Sequence, residues 1–85
     1  VRSTDSEMDI YPNPVIDILH IRTGLEKEDL PVTVLNSTGA TTFSGILSCS
    51  AFEPGEIDMS SYAPGQYKVV VEKNGEKTAR TIIKR

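Results

Sequence analysis

No stretch of ten residues in this chain carries a helical period; short β-rich runs are instead cut by Ser-Thr-Gly, Pro-Gly and Asn-Gly. Such punctuation constrains the fold strongly, because each of these sites turns the backbone where a helix would have to continue. The sharpest is Asn74-Gly75. Both residues tolerate the positive φ of a type I′ turn, so the runs on either side are predicted to form a hairpin. A two-residue loop sets Glu72 opposite Lys77, a favourable cross-strand pair, but also sets Arg80 opposite Val69. Val69 belongs with Tyr67 and Val71 on the face predicted to point inward. A three-residue loop puts Ala79 there and brings Lys68 against Arg80. The sequence leaves both registers open.

Residues 1–10 are polar and aperiodic, which predicts a flexible linker ahead of a domain spanning 11–85. Tyr11-Pro12-Asn13-Pro14 stiffens the start of that domain, since each proline fixes its own φ and presses its predecessor into extended geometry. A first strand is predicted over Val15–Arg22 with Leu19 and Ile21 inward, followed by an acidic connector over Gly24–Leu30. The next strand runs Pro31–Asn36 with Val32 and Val34 inward, and Gly39 supplies a positive φ to the turn at Ser37-Thr38-Gly39. A third strand covers Ala40–Gly45; Ile46–Phe52 either extends it or forms a separate one. Glu53-Pro54-Gly55-Glu56 and Ala63-Pro64-Gly65-Gln66 both place Pro and Gly where a type II turn needs them. Between them Ile57-Asp58-Met59 reads as a short strand. Short strands at regular spacing predict an all-β, immunoglobulin-like antiparallel β-sandwich of about six to seven strands. Ser61 to Val69 adds to this by its similarity to the corner of such domains, where a tyrosine near a strand start bonds back to upstream backbone.

Eighty-five residues make one domain. A chain of this size buries only about 60–65% of its unfolded surface. With no Trp, the large aromatic anchors are Tyr11, Phe43, Phe52, Tyr62 and Tyr67, so the core is expected to be thin. No apolar run suffices for a signal peptide or a membrane span, and the chain starts at Val1. Either it is a fragment or its targeting signal lies elsewhere in a longer precursor, and no direct membrane insertion is expected. Charge is lopsided: residues 1–65 hold three bases and ten acids, residues 66–85 six bases and two acids. The basic end is either a docking surface for an acidic partner or a solvated, blunted edge.

Catalysis has little to work with. Cys49 and His20 are each the sole residue of their type and lie far apart in sequence; Cys49 reads as a small strand residue that cannot form an internal disulfide. Asp17, Glu56 and Asp58 form no metal-ligand pattern, so no catalytic residue, metal or cofactor is predicted. Acidic balance and the lack of a basic-aromatic stripe argue against nucleic acid. Asn36-Ser37-Thr38 matches a glycosylation tripeptide by coincidence in a tight turn. A carbohydrate-binding or adhesive β-sandwich module of a secreted protein is the alternative reading, weakened by the missing Trp and by the need for Tyr and Phe in the core.

Five marks then fall in order: Tyr11-Pro12-Asn13-Pro14 with Leu19 and Ile21; Val32 to Asn36 with Gly39; Ile57-Asp58-Met59; Gly65-Gln66-Tyr67 with Val69 and Val71; and Ile82-Ile83-Lys84-Arg85. Over residues 11–85 this resembles the C-terminal sorting domain, type A, of the Por or type IX secretion system. A departure is Met59, where the family usually has Leu, a swap that roughly conserves volume. The resemblance implies a secretion signal attached to an N-terminal cargo domain, with the type IX translocon and a surface sortase as partners. It implies passage through the periplasm and the outer-membrane translocon, then cleavage by the sortase and cargo attachment to anionic lipopolysaccharide at the cell surface, or release outside the cell. It assigns recognition to Gly65, Tyr67, Ile82, Ile83, Lys84 and Arg85. Cleavage is placed in or before the linker, with Asp9 and Ile10 at its end; self-association is left open. A terminal strand offering free backbone groups to a receptor strand, steered by Lys84 and Arg85, is the expected mechanism. On that view, deleting Ile82–Arg85 leaves the fold largely intact and stops export.

Overall fold

In the computed structural model, which describes residues 8–24, 27–73 and 75–85, the period-two runs become seven strands. These are β1 (Asp9–Tyr11), β2 (Ile18–Arg22), β3 (Glu28–Leu35), β4 (Thr41–Cys49), β5 (Gly55–Asp58), β6 (Gly65–Lys73) and β7 (Glu76–Lys84). They form a three-stranded sheet in the order β1-β2-β5 and a four-stranded sheet in the order β4-β3-β6-β7, both antiparallel. The all-β sandwich expected from the sequence is what forms. Leu19, Ile21, Val32, Val34, Tyr67, Val69 and Val71 all point inward as predicted, joined by Leu30, Ile57 and Ile82.

That core is more aliphatic than expected. Tyr67 is its only buried aromatic side chain among the described residues; Phe43 and Tyr62 pack against it from the margin, and Phe52 is 80% exposed. Met8, Val15, Cys49 and Met59 fill the places the rings leave. Small sandwiches with thin interiors are better tiled by branched aliphatics and flexible thioethers than by rings.

Several local expectations change. Residues 8–10, predicted as linker, belong to the folded unit: Met8 is buried and Asp9 opens β1. The rest of the predicted linker, residues 1–7, lies outside the described residues, as does Glu26 of the acidic connector. Val15 and Ile16 do not extend β2; Val15 makes a parallel bridge to Lys84 instead. β3 starts earlier than predicted, at Glu28, and carries Pro31 inside it. This is tolerated because β6 pairs with β3 only from Val32 to Leu35, so the ladder on that flank stops where proline has no N–H to give. β4 runs unbroken to Cys49, which resolves the open choice at Ile46.

The two Pro-Gly sites differ from the expected type II turns. Gly55 starts β5 opposite Ile21, and a Cβ there would lie 2.7 Å from Cys49 Sγ and 3.2 Å from Leu47 Cβ. Close approach of the two sheets, not turn geometry, requires this glycine. Gly65 has φ +153°, far from the roughly +80° of a type II turn, and opens β6. Gly39 at φ +91° does serve its turn as predicted. In the last hairpin Lys73 pairs Glu76, Glu72 pairs Lys77 and Val69 pairs Arg80, with φ +81° at Gly75, so the two-residue loop is the one formed. The conflict over Arg80 dissolves because β7 is a sheet edge: Arg80 shares Val69's face yet is exposed there. Asn74 itself lies outside the described residues.

Candidate recognition corner at the C-terminal strand

Three separated marks of the sequence meet in one corner. β6 brings Gly65, Gln66 and Tyr67 opposite Lys84, Ile83 and Ile82 of β7. On the other flank of β7 lies the segment that joins β1 to β2. Val15 N–H donates to Ile83 O (2.8 Å), and Arg85 N–H donates to Val15 O (2.9 Å). One residue pair earlier, the Asn13 side chain takes over: Ile83 N–H donates to its Oδ1 (3.0 Å), and its Nδ2 donates to Thr81 O (3.4 Å). A short polar side chain standing between two prolines can substitute for a strand in this way, because its amide offers both a donor and an acceptor.

This occupation changes the expected mechanism. The end of the terminal strand is paired on both flanks, so it has no open row of N–H and C=O groups to lend a receptor strand over Thr81–Arg85. Nor is Lys84 available for charge steering: it is only 6% exposed, and its Nζ donates to Arg85 O at 2.7 Å. Truncation at Ile82 is also not benign, since Ile82 is 1% exposed in the core and faces Tyr67.

The six residues assigned to recognition therefore separate into two groups. Tyr67, Ile82 and Lys84 are buried. The Tyr67 ring packs 5.5 Å from that of Tyr62, and its hydroxyl donates to Ala63 O at 2.6 Å, the backward bond expected of a tyrosine corner. Gly65, Ile83 (42% exposed) and Arg85 stand at the surface. A shallow depression beside them on the outer face is lined by Leu35, Asn36, Gln66, Lys68 and Thr81. Sequence reasoning missed Asn13 and Val15 as partners of the last strand. The available signal was an asparagine held between prolines, with its amide free to bond backbone.

Asp9 and Ile10, assigned to the cleavage region, sit in β1 opposite Arg22 and Ile21. Arg22 Nη2 donates to Asp9 Oδ2 at 2.6 Å and its guanidinium lies 5.7 Å above the Tyr11 ring. That carboxylate, through the hydrogen bond first and its charge second, raises the Arg22 pKa. Tyr11 stacks on His20 (5.1 Å between centroids), and His20 Nδ1 lies 3.6 Å from Glu56 Oε2. Arg22 reaches Tyr11 diagonally; Asp9–Arg22, Tyr11–His20 and His20–Glu56 are direct cross-strand neighbours on the outer face of the three-stranded sheet. They are ladder pairs of the ordinary stabilising kind. Glu56 and Asp58 do not converge: Glu56 is turned to His20, whereas Asp58 accepts from Ser60 N–H at 2.9 Å, and hydrogen bonding from the Ser60 side chain first and its N–H second lowers the Asp58 pKa. Among the described residues no group of His, Cys, Asp and Glu is placed to hold a metal ion. Burial raises the pKa of the Cys49 thiol, the opposite of what an active nucleophile needs.

Comparison with known proteins gives one family. The family model described as Secretion system C-terminal sorting domain matches residues 9–85. A search of curated proteins finds no match. The matched span begins at the first residue of β1 and takes in every strand.

Proposed function

This chain belongs to the family of secretion-system C-terminal sorting domains, and on that premise we propose that the corner of Asn13–Val15, Gly65 and Ile83–Arg85 is what the type IX machinery reads. Membership makes the domain a type IX sorting signal, with the cell surface or extracellular space as the destination of what it is joined to. The observation that supports this reading is convergence. Marks some fifty and seventy residues apart are drawn together by Val15–Lys84, Gly65–Lys84 and the two Asn13 bonds. Recognition then acts on a folded shape, with Gly65, Ile83 and Arg85 as the accessible points. Tyr67, Ile82 and Lys84 hold those points in place from beneath.

The finer steps follow the same reading. The precursor passes the periplasm, the domain engages the outer-membrane translocon, and a surface sortase cuts ahead of the domain and joins the cargo to anionic lipopolysaccharide. With Asp9 in a strand and Met8 in the core, a cut in the folded state falls before Met8.

The test is a neutral reporter carrying residues 1–85 in a type IX-competent bacterium. Ile83→Ser and Arg85→Glu alter exposed side chains, so they are expected to lower export at least several-fold while leaving the melting temperature of the purified domain near wild type. Full export by both variants, alone and combined, would move recognition elsewhere. A wild-type fusion held in the cell envelope would overturn the sorting role for this fragment.

A further inference from the structure

The two sheets have four edges, β1, β5, β4 and β7, and three of them are defended. β1 is three residues long; β5 is four, two of them the acids Glu56 and Asp58. β7 is closed by Asn13 and Val15 at one end and carries Lys77 and an inward-facing Arg80 in the other half. Short length, charge and inward-pointing charge are the usual means of keeping a sheet edge from pairing. β4 has none of these. Thr41-Thr42-Phe43-Ser44-Gly45-Ile46-Leu47-Ser48-Cys49 is nine residues long, without a charge or a proline, and Ile46 is 69% exposed.

The phase of its hydrogen bonds can be followed from the hairpin. Asn36 N–H donates to Ala40 O, and the ladder then shifts by one residue at the bulge beside Val34 and Leu35. Beyond the bulge Phe43, Gly45, Leu47 and Cys49 face β3 with their backbone groups, while those of Ser44, Ile46 and Ser48 face outward. Tyr62 Oη donates to Thr42 O at 3.2 Å, which closes the edge just before this stretch, whose outward backbone groups have no partner among the described residues.

We propose that β4 is a self-association edge, through which two copies of the domain pair antiparallel about a two-fold axis at Ile46. The free residues are disposed symmetrically about Ile46, so a second copy is the strand that complements them. Ser44 falls opposite Ser48 of the copy and Ile46 opposite its own counterpart. Such pairing forms about six backbone hydrogen bonds and leaves no outward group of the three residues unpaired. Neither central strand carries a charge, so no like charges meet. Pro31 lies beside Ile46 on β3, and the exposed isoleucine is thereby enclosed in an apolar stripe running Pro31, Ile46, and the same two residues of the copy in reverse. The two four-stranded sheets become one of eight. One strand pair buries less than the roughly 1,200 Å² of a stable interface, so the dimer is weak, with a dissociation constant at or above about 10 µM. Isologous pairing of this kind closes on itself and does not propagate.

Sedimentation equilibrium of residues 1–85 across about 5 µM to 1 mM tests this directly. A monomer–dimer equilibrium is expected, with amide protection of Ser44, Ile46 and Ser48 rising with concentration. Ile46→Lys sets two like charges side by side at the axis and should weaken the dimer at least about tenfold. Because Ile46 is exposed, the melting temperature of dilute monomer should hardly change. Ile46→Thr gives a second, uncharged variant with an intermediate loss. Ala79→Lys, on the β7 edge, should leave association unaltered. A monomer throughout the range overturns the proposal. So does a dimer that survives Ile46→Lys or yields to Ala79→Lys. Export plays no part in this measurement, so its outcome is independent of the sorting role.

Discussion

Replacing Gly55 by alanine puts the account of how the two sheets meet under direct strain. The new Cβ would sit 2.7 Å from Cys49 Sγ and 3.2 Å from Leu47 Cβ, where unstrained contacts between such atoms lie at roughly 3.5–4.0 Å. Close to an ångström must be absorbed by β4 or β5. Cys49 is fully buried, Leu47 packs against the core, and β5 is tied to β2 from Gly55 to Asp58, so no nearby side chain can swing out. Overfilling of this kind costs about 1–3 kcal/mol. Alanine also restricts the unfolded chain, which offsets about 0.4–1 kcal/mol. A net loss of about 1–2 kcal/mol is expected, out of a total stability of about 4–12 kcal/mol for a domain of this length. That corresponds to a fall in melting temperature of roughly 4–16 °C. Cys49→Ala removes the atom in closest conflict and, alone, costs about 1–2 kcal/mol by leaving a small void. In the double variant the Gly55→Ala methyl enters that void, so the two losses should fall short of their sum by about 1 kcal/mol. Urea denaturation of the four proteins, followed by circular dichroism with unchanged slope, measures all three quantities. Strict additivity, or a Gly55→Ala domain as stable as wild type, would refute the close-approach explanation.

Other consequences can be checked on the same domain. Tyr67→Phe removes the 2.6 Å bond to Ala63 O and should cost about 1–2 kcal/mol in the same denaturation assay, with the β-sheet spectrum retained. Deleting Ile82–Arg85 strips a buried core residue and the partner of Val15, so the product should lose its cooperative melt; loss of export by that truncation would then report unfolding. Burial raises the Cys49 pKa, so its neutral thiol contributes most to stability below the ordinary cysteine pKa, and that contribution fades as the pH rises through the higher folded value. Alkylation at pH about 8.5 should accordingly be slow in buffer and fast in denaturant. The Asp58 carboxyl is lowered by Ser60, so its contribution is present at neutral pH and disappears as the pH falls below about 4. Asp58→Asn should be less stable than wild type at pH 7, with the gap closing on acidification.

Where the sequence was informative, one local interaction decided the outcome. Val69 and Val71 alternate with polar neighbours and end up inward; Asn74-Gly75 limits the choice of loop, and the hairpin follows. Leu19, Ile21, Val32 and Val34 were placed correctly for the same reason. Failures came where a residue answers to something distant in sequence. Gly55 follows proline as a turn glycine would, yet its need arises from Cys49 on the other sheet. Arg80 looked misplaced because the sequence does not say how far the smaller sheet extends over the larger. Pro31 looked like a strand start because the sequence does not say where β6 stops. The recognition residues carry the same lesson. Gly65 to Tyr67 and Ile82 to Arg85 were legible as a motif, but burial of Lys84 and the closure of β7 by Asn13 and Val15 depend on a contact spanning nearly the whole domain.

That contact also has a mechanical meaning. The stretch by which the domain hangs from whatever precedes it lies alongside the final strand and runs in the same direction, joined to it by Val15 and Asn13. Tension arriving from upstream first peels β1 from β2, then bears on this clasp and through it on β7 and the ring of Tyr67. A pull on the passenger is thus felt at the corner bearing Gly65, Ile83 and Arg85 before the far hairpin at Gly75 is disturbed.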